Sequence, residues 1–173
     1  MKKIAILFLA VLFSVSCQKT EKTAFIDLNK VVEEFDLMKK VKEDFNKKEE
    51  AFNKKYDSLS LAWQQKYQSF AAKANSMNQR KAQKRYEELM AEQQQITLSQ
   101  QQEARKLQEE LEKASEKASE KLKEFMKEYG EKNQYTYIFS RSELAGIAYA
   151  KAEKDITETF IKALNESVKD KAE

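Results

Sequence analysis

From Asn29 to Tyr129 the chain carries neither proline nor glycine, the two residues that most readily interrupt a helix. The whole protein has no proline, only two glycines (Gly130 and Gly146) and 35% charged residues, so it is restricted to mainly helical folds. The apolar positions say which kind. Val41, Phe45, Phe52, Tyr56, Leu59, Trp63, Tyr67 and Phe70 recur mostly three or four residues apart on the outgoing part. Tyr86, Leu89, Ile96, Ala104, Leu107, Leu111, Ala114, Ala118, Leu122, Phe125 and Tyr129 do the same on the return. Steps of that size make the seam of a coiled coil. A single straight helix would approach about 150 Å at about 1.5 Å per residue, with its seam bare to water. A hairpin with two arms of about 60–70 Å lets the two seams cover each other. The turn is expected within Ala74–Arg85, where the apolar pattern is weakest.

The flanks obey a different rule. Thr23-Ala24-Phe25-Ile26-Asp27 reads as a short strand leading into a helix at Leu28, and Tyr135-Thr136-Tyr137-Ile138-Phe139 as a second strand by its β-branched and aromatic content. Gly146-Ile147-Ala148-Tyr149-Ala150 reads as a third. Gly130 stands where a left-handed cap residue would end the return helix. Asp155-Ile156-Thr157-Glu158 has the spacing of a capping box, with Asp155 as the cap and Glu158 reaching back. The helix it opens places Ile156, Phe160, Ile161, Leu164 and Val168 on one face. Three short strands and one helix bury too little to stand alone. Phe25, Ile26, Tyr137, Ile138, Phe139, Ile147, Tyr149, Ile156, Phe160 and Leu164 are therefore expected to form a body core shared between copies of the chain.

The first residues are an export signal. Lys2 and Lys3 precede an unbroken apolar run from Ile4 to Phe13, followed by Ser14-Val15-Ser16-Cys17. A membrane-spanning helix needs about 20 apolar residues, which this run does not reach. A small residue directly before a cysteine at the end of such a run is the pattern of lipoprotein processing, in which Cys17 would become the acylated first residue. The simpler alternative is an ordinary signal peptide with an incidental cysteine, but Cys17 is the only cysteine in the chain. Gln18 to Lys22 would then be a tether shorter than about 20 Å, keeping the body close to the membrane. Its charge also resembles a surface-export signal of some diderm lineages, although a plain linker accounts for it.

Composition argues against catalysis. There is no histidine to act as a base or bind a metal, no glycine-rich loop to cradle phosphate, and no cofactor is expected. The carboxylates sit beside lysines at helical spacing, as on salt-bridged surfaces. A net charge of +3 does not by itself mark a nucleic-acid binder, and such binding is expected to be absent. The local charge is more telling. No acidic residue occurs between Asp57 and Glu87, yet Lys66, Lys73, Arg80, Lys81, Lys84 and Arg85 all fall there. The hairpin tip is thus expected to be basic, suited to anionic lipid or acidic client segments, or else simply a solvated turn. Phe52, Trp63, Tyr67 and Phe70 are expected to pack on Ala104, Ala114 and Ala118 rather than line a client cavity. The seam thins where Gln93, Gln94, Gln95, Gln100, Gln101 and Gln102 cluster.

These pieces together resemble the Skp/OmpH family of periplasmic chaperones. The resemblance is carried by Ala24-Phe25-Ile26-Asp27, the proline-free hairpin, and the block Tyr137-Ile138-Phe139, Ala148-Tyr149, Asp155-Ile156-Thr157 and Leu164-Asn165. It implies one domain over 23–173: a strand at 23–28, a helical hairpin at 29–129, then strands and a C-terminal helix at 135–173. It implies a trimer with a β-barrel body and three helical arms. The expected activity is an ATP-independent holdase for unfolded outer-membrane β-barrel proteins, here tied to a membrane of the cell envelope (the outer membrane favoured) by the lipid on Cys17. The competing reading is a membrane-anchored coiled-coil scaffold that binds one folded partner.

Overall fold

A computed structural model of the chain describes residues 21–141, 147 and 149–170. The elements run β1 (Thr23–Asp27), α1 (Leu28–Glu34), α2 (Asp36–Ala74), α3 (Gln79–Lys132), β2 (Tyr137–Arg141) and α4 (Thr157–Asp170). Helices α2 and α3 are the two arms of the hairpin, about 58 and 81 Å long at about 1.5 Å per residue.

The turn between them, Asn75 to Asn78, lies inside the expected stretch and needs no glycine. The Ser76 amide closes on the Lys73 carbonyl at 3.0 Å and the Met77 amide on that of Ala74 at 3.1 Å, winding up the last turn of α2. Asn78 then caps α3, its side chain accepting from the Arg80 amide at 3.0 Å. Short polar side chains that bond their own backbone do the work that glycine does elsewhere.

The outgoing helix is not continuous, as the sequence had led us to expect. Phe35 leaves the helical region (φ −68°, ψ 116°) and separates α1 from α2. Its ring is wholly buried and sits in the body core. Asn165 of α4 repairs the break, accepting from the Asp36 amide at 2.8 Å and donating to the Glu34 carbonyl at 3.0 Å.

The far end of α3 also departs from expectation. Gly130 does not end the helix, which continues to Lys132. The left-handed residue is Gln134, at φ 57°. The Tyr135 amide bonds the Gly130 carbonyl at 2.9 Å and the Gln134 amide bonds that of Glu131 at 3.1 Å, the paired bonds of a Schellman cap. Tyr135 stacks on Tyr129, with centroids 6.3 Å apart, as the apolar clasp of that cap.

This longer helix displaces the second strand, which begins at Tyr137 rather than Tyr135. Strands β1 and β2 pair in parallel, with Thr23 opposite Tyr137 and Asp27 opposite Arg141. A parallel pair needs a crossover, and here the whole hairpin serves as one. On the other side of β1, Asp155 makes an isolated parallel bridge to Phe25 and the Ile156 amide bonds the Phe25 carbonyl at 3.0 Å. The expected strand at 146–150 is not formed at Ile147, Tyr149 or Ala150, while Gly146 and Ala148 lie outside the described residues.

Body and arm base share one core. Ile26, Val31, Phe35, Ala118, Leu122, Phe160, Ile161 and Leu164 are buried together, with Phe125, Tyr129, Ile138 and Ile156 packed against them. Burying side chains of this size stabilises by roughly 1.5–3 kcal/mol each. Thr157 locks α4 to the sheet, its hydroxyl accepting from the Asp27 amide at 2.9 Å and donating to Asp155 at 2.5 Å.

Candidate functional site: arms, basic tip and sheet face

The two arms are held in one register by charge. Lys48 pairs with Glu110 at 2.5 Å and Lys55 with Glu103 at 2.5 Å, and Lys66 pairs with Glu92 nearer the tip. In every rung the outgoing helix supplies the lysine and the return helix the glutamate. Exposed pairs of this kind add little stability, but all three are satisfied only in one alignment. The hydrogen bond from Lys55 and then that from the Tyr56 hydroxyl hold Glu103 below its ordinary 4.5, as the Lys48 bond does Glu110. Loss of solvent around Tyr56, and next its bond to Glu103, push the phenol upward.

The aromatic side chains of the seam pack differently from expectation. Trp63 donates from Nε1 to the carbonyl of the buried Leu89 at 2.8 Å and stacks on Tyr67 at 5.3 Å. Phe70 meets Tyr86 across the arms at 6.5 Å, and Phe52 leans on Tyr56 at 4.8 Å. The alanines expected beneath them lie elsewhere: Ala104 is exposed, Ala114 lines a groove of about 240 Å³ with Val41, Phe45 and Leu111, and Ala118 belongs to the body core. The register puts Leu89 and Tyr86, not alanines, opposite the tip-half aromatics. Around Ile96 the seam is thin, with grooves of about 570 and 280 Å³ on its two sides, both lined by Tyr56 and glutamines. Leu59, Leu61, Tyr67, Tyr86 and Leu98 remain exposed along this half of the hairpin.

At the tip the cations divide into two groups. Lys66 is engaged with Glu92, and Arg85 with Glu88 at 3.0 Å. Lys73, Arg80, Lys81 and Lys84 are exposed around the turn and make no ion pair within 4.0 Å among the described residues.

In the body, Phe25, Ile26, Phe160 and Leu164 are buried, and Ile138 and Ile156 half-buried. The register puts Ala24, Ile26 and Ile138 on the helix side of the sheet and Phe25, Tyr137 and Phe139 on the other. Tyr137 and Phe139 are 54% and 49% exposed in the single chain and stack on each other at 5.8 Å. Ile147 is half-buried and Tyr149 is 84% exposed. The capping box is half formed. Asp155 accepts from the Thr157 amide at 2.9 Å, but Glu158 does not reach back and pairs instead with Lys30 of α1. Cys17 lies outside the described residues. Among those described, no cluster of carboxylates could hold a metal, and no helix is long and apolar enough to cross a membrane.

Two features escaped the sequence reading, and the exact position of the turn was fixed only to within a stretch. Asn165 could not be matched to a break with no proline or glycine to mark it. The Lys–Glu rungs were visible only as separate charges until a register was known. The run Asn75-Ser76-Met77-Asn78 did hold a turn signal, in its asparagines and serine.

A charge-registered helical hairpin, standing on a small parallel sheet that the hairpin itself closes, defines an arm-on-body protein. The family described as outer membrane protein (OmpH-like) matches residues 22–164, and the chain belongs to that family. The fold is also that of a crystal structure of a Caulobacter crescentus protein named as an OmpH-like outer membrane chaperone. That structure has a TM-score of 0.76 and 14% identity, with 85% of each chain covered. Comparison with curated proteins finds no match.

Proposed function

We propose that the protein is an ATP-independent holdase of the bacterial envelope, binding unfolded outer-membrane β-barrel proteins and keeping them from aggregating. The observation that carries this reading is the tip half of the hairpin. There, exposed Leu59, Leu61, Tyr67, Tyr86 and Leu98 are interspersed with cations that make no ion pair among the described residues. Dispersed apolar contacts in a charged frame suit a chain with no fixed shape. They suit a single folded partner less well, because such a partner needs a continuous complementary patch.

The active form in this reading is a homotrimer. Among the described residues the parallel sheet has two strands, with Tyr137 and Phe139 half-exposed, and strands from further copies would enlarge it. Cys17 is the lipid attachment site, placing the protein in the periplasm on a membrane. Lys73, Arg80, Lys81 and Lys84 attract acidic segments of the client, and three tips per assembly add avidity.

Native mass spectrometry of the chain from Gln18 onward, alone and with a urea-unfolded outer-membrane β-barrel protein, tests this. The expected result is a trimer that takes up one unfolded chain, more weakly in salt or after the four tip cations are changed to glutamine. A trimer indifferent to the client would replace the holdase with a scaffold. A monomer would remove the basis for a shared body.

A further inference from the structure

The beginning of the described chain is fastened to one end of the molecule. The Lys22 ammonium donates to the Asn133 carbonyl at 2.8 Å and lies 4.3 Å from the centre of the Tyr135 ring. The Lys22 carbonyl accepts from the Thr136 amide at 2.8 Å, extending the β1–β2 ladder by one bond. All three contacts are to the cap that closes α3. That cap and the hairpin tip are the two ends of a helix of 54 residues, about 80 Å apart at about 1.5 Å per residue. Cys17 precedes Lys22 by five residues, and at no more than about 3.6 Å each these reach about 18 Å. A lipid on Cys17 therefore holds a bilayer surface against the base of the molecule.

We infer that the body rests on the anchoring membrane and the arms stand away from it, presenting their tips to unfolded clients in the aqueous space rather than to the headgroups of that membrane. This rests on the reading of Cys17 as acylated. The trimer proposed above strengthens it. Three tethers related by a threefold axis define a plane across that axis, so the bilayer meets the assembly end-on, and one arm cannot lie flat without lifting another copy's anchor. Lys73, Arg80, Lys81 and Lys84 are then out of reach of the anchoring bilayer and free for acidic stretches of a client.

The test uses the acylated protein purified from membranes and reconstituted into phosphatidylcholine–phosphatidylglycerol vesicles whose headgroups carry a short-range energy-transfer acceptor. A donor dye is placed at the base in Lys132→Cys or at the tip in Lys84→Cys, both exposed positions. The expected result is loss of most donor emission from the base and none from the tip. Equal quenching at both sites would overturn the orientation while leaving the anchor intact. If the N-terminal peptide carries no acyl mass and the protein does not float with the vesicles, the anchor reading falls, and the orientation with it.

Discussion

Gln134 occupies the backbone conformation that glycine adopts most easily, at the C-terminal cap of an 81 Å arm. Its side chain is exposed and makes no hydrogen bond among the described residues, so the strain has no local compensation. Gln134→Gly should therefore stabilise the chain, by about 0.5–1 kcal/mol net of the added flexibility of the unfolded state, measured as a shift in the urea midpoint. Asn165 is the opposite case. One amide holds both free backbone groups at the Phe35 break, and removing it leaves them without that partner in the half-buried joint of arm and body. Asn165→Ala should cost about 1–3 kcal/mol in the same measurement, whereas Asn165→Asp should restore only the acceptor half. The sequence revealed neither role. Gly130 was the obvious stop, yet it lies within the helix, where an added Cβ would only make ordinary contact with Ile138 Cδ1 at 3.7 Å.

At the scale of elements, the inter-arm rungs make the hairpin sensitive to acid. Glu103 and Glu110 have folded values below the ordinary 4.5, so the unfolded arm takes up protons more readily than the folded one. Their contribution is complete above 4.5 and is lost as the pH falls through the depressed folded values. The groups are exposed, so the effect is modest and salt-sensitive. Amide exchange should show the arms near Lys48–Glu110 and Lys55–Glu103 opening more often below the carboxylate range, with α4 and β1 little changed. Much at this scale was legible in advance. The heptad-like steps located both arms, and the weakest part of that pattern located the turn. The C-terminal apolar face from Ile156 to Leu164 located α4. What was not legible needed a partner surface to define it: the two-residue shift of β2 follows from the cap at Gln134, and the break at Phe35 from the buried site that accepts its ring.

At the scale of the molecule, the proposed assembly rests on a sheet that has two strands among the described residues and carries Tyr137 and Phe139 on its outer face. Tyr137→Ser with Phe139→Ser changes side chains already about half exposed in the single chain, so helix content should survive. The proposed oligomer, read by native mass spectrometry or analytical ultracentrifugation, should dissociate. Loss of helix together with the oligomer would instead make these rings part of the chain's own core. The topology of that sheet also sets an order of events. Strand β1 leaves the ribosome before its partner β2, with the entire hairpin between them, so their pairing must close a very long loop. The hairpin asks only for contacts across one tight turn, which form early and fast. The arms are thus the portion able to fold while the chain is still emerging. The body, and whatever assembly it supports, forms only after the last strand has been delivered, which withholds assembly from incomplete chains.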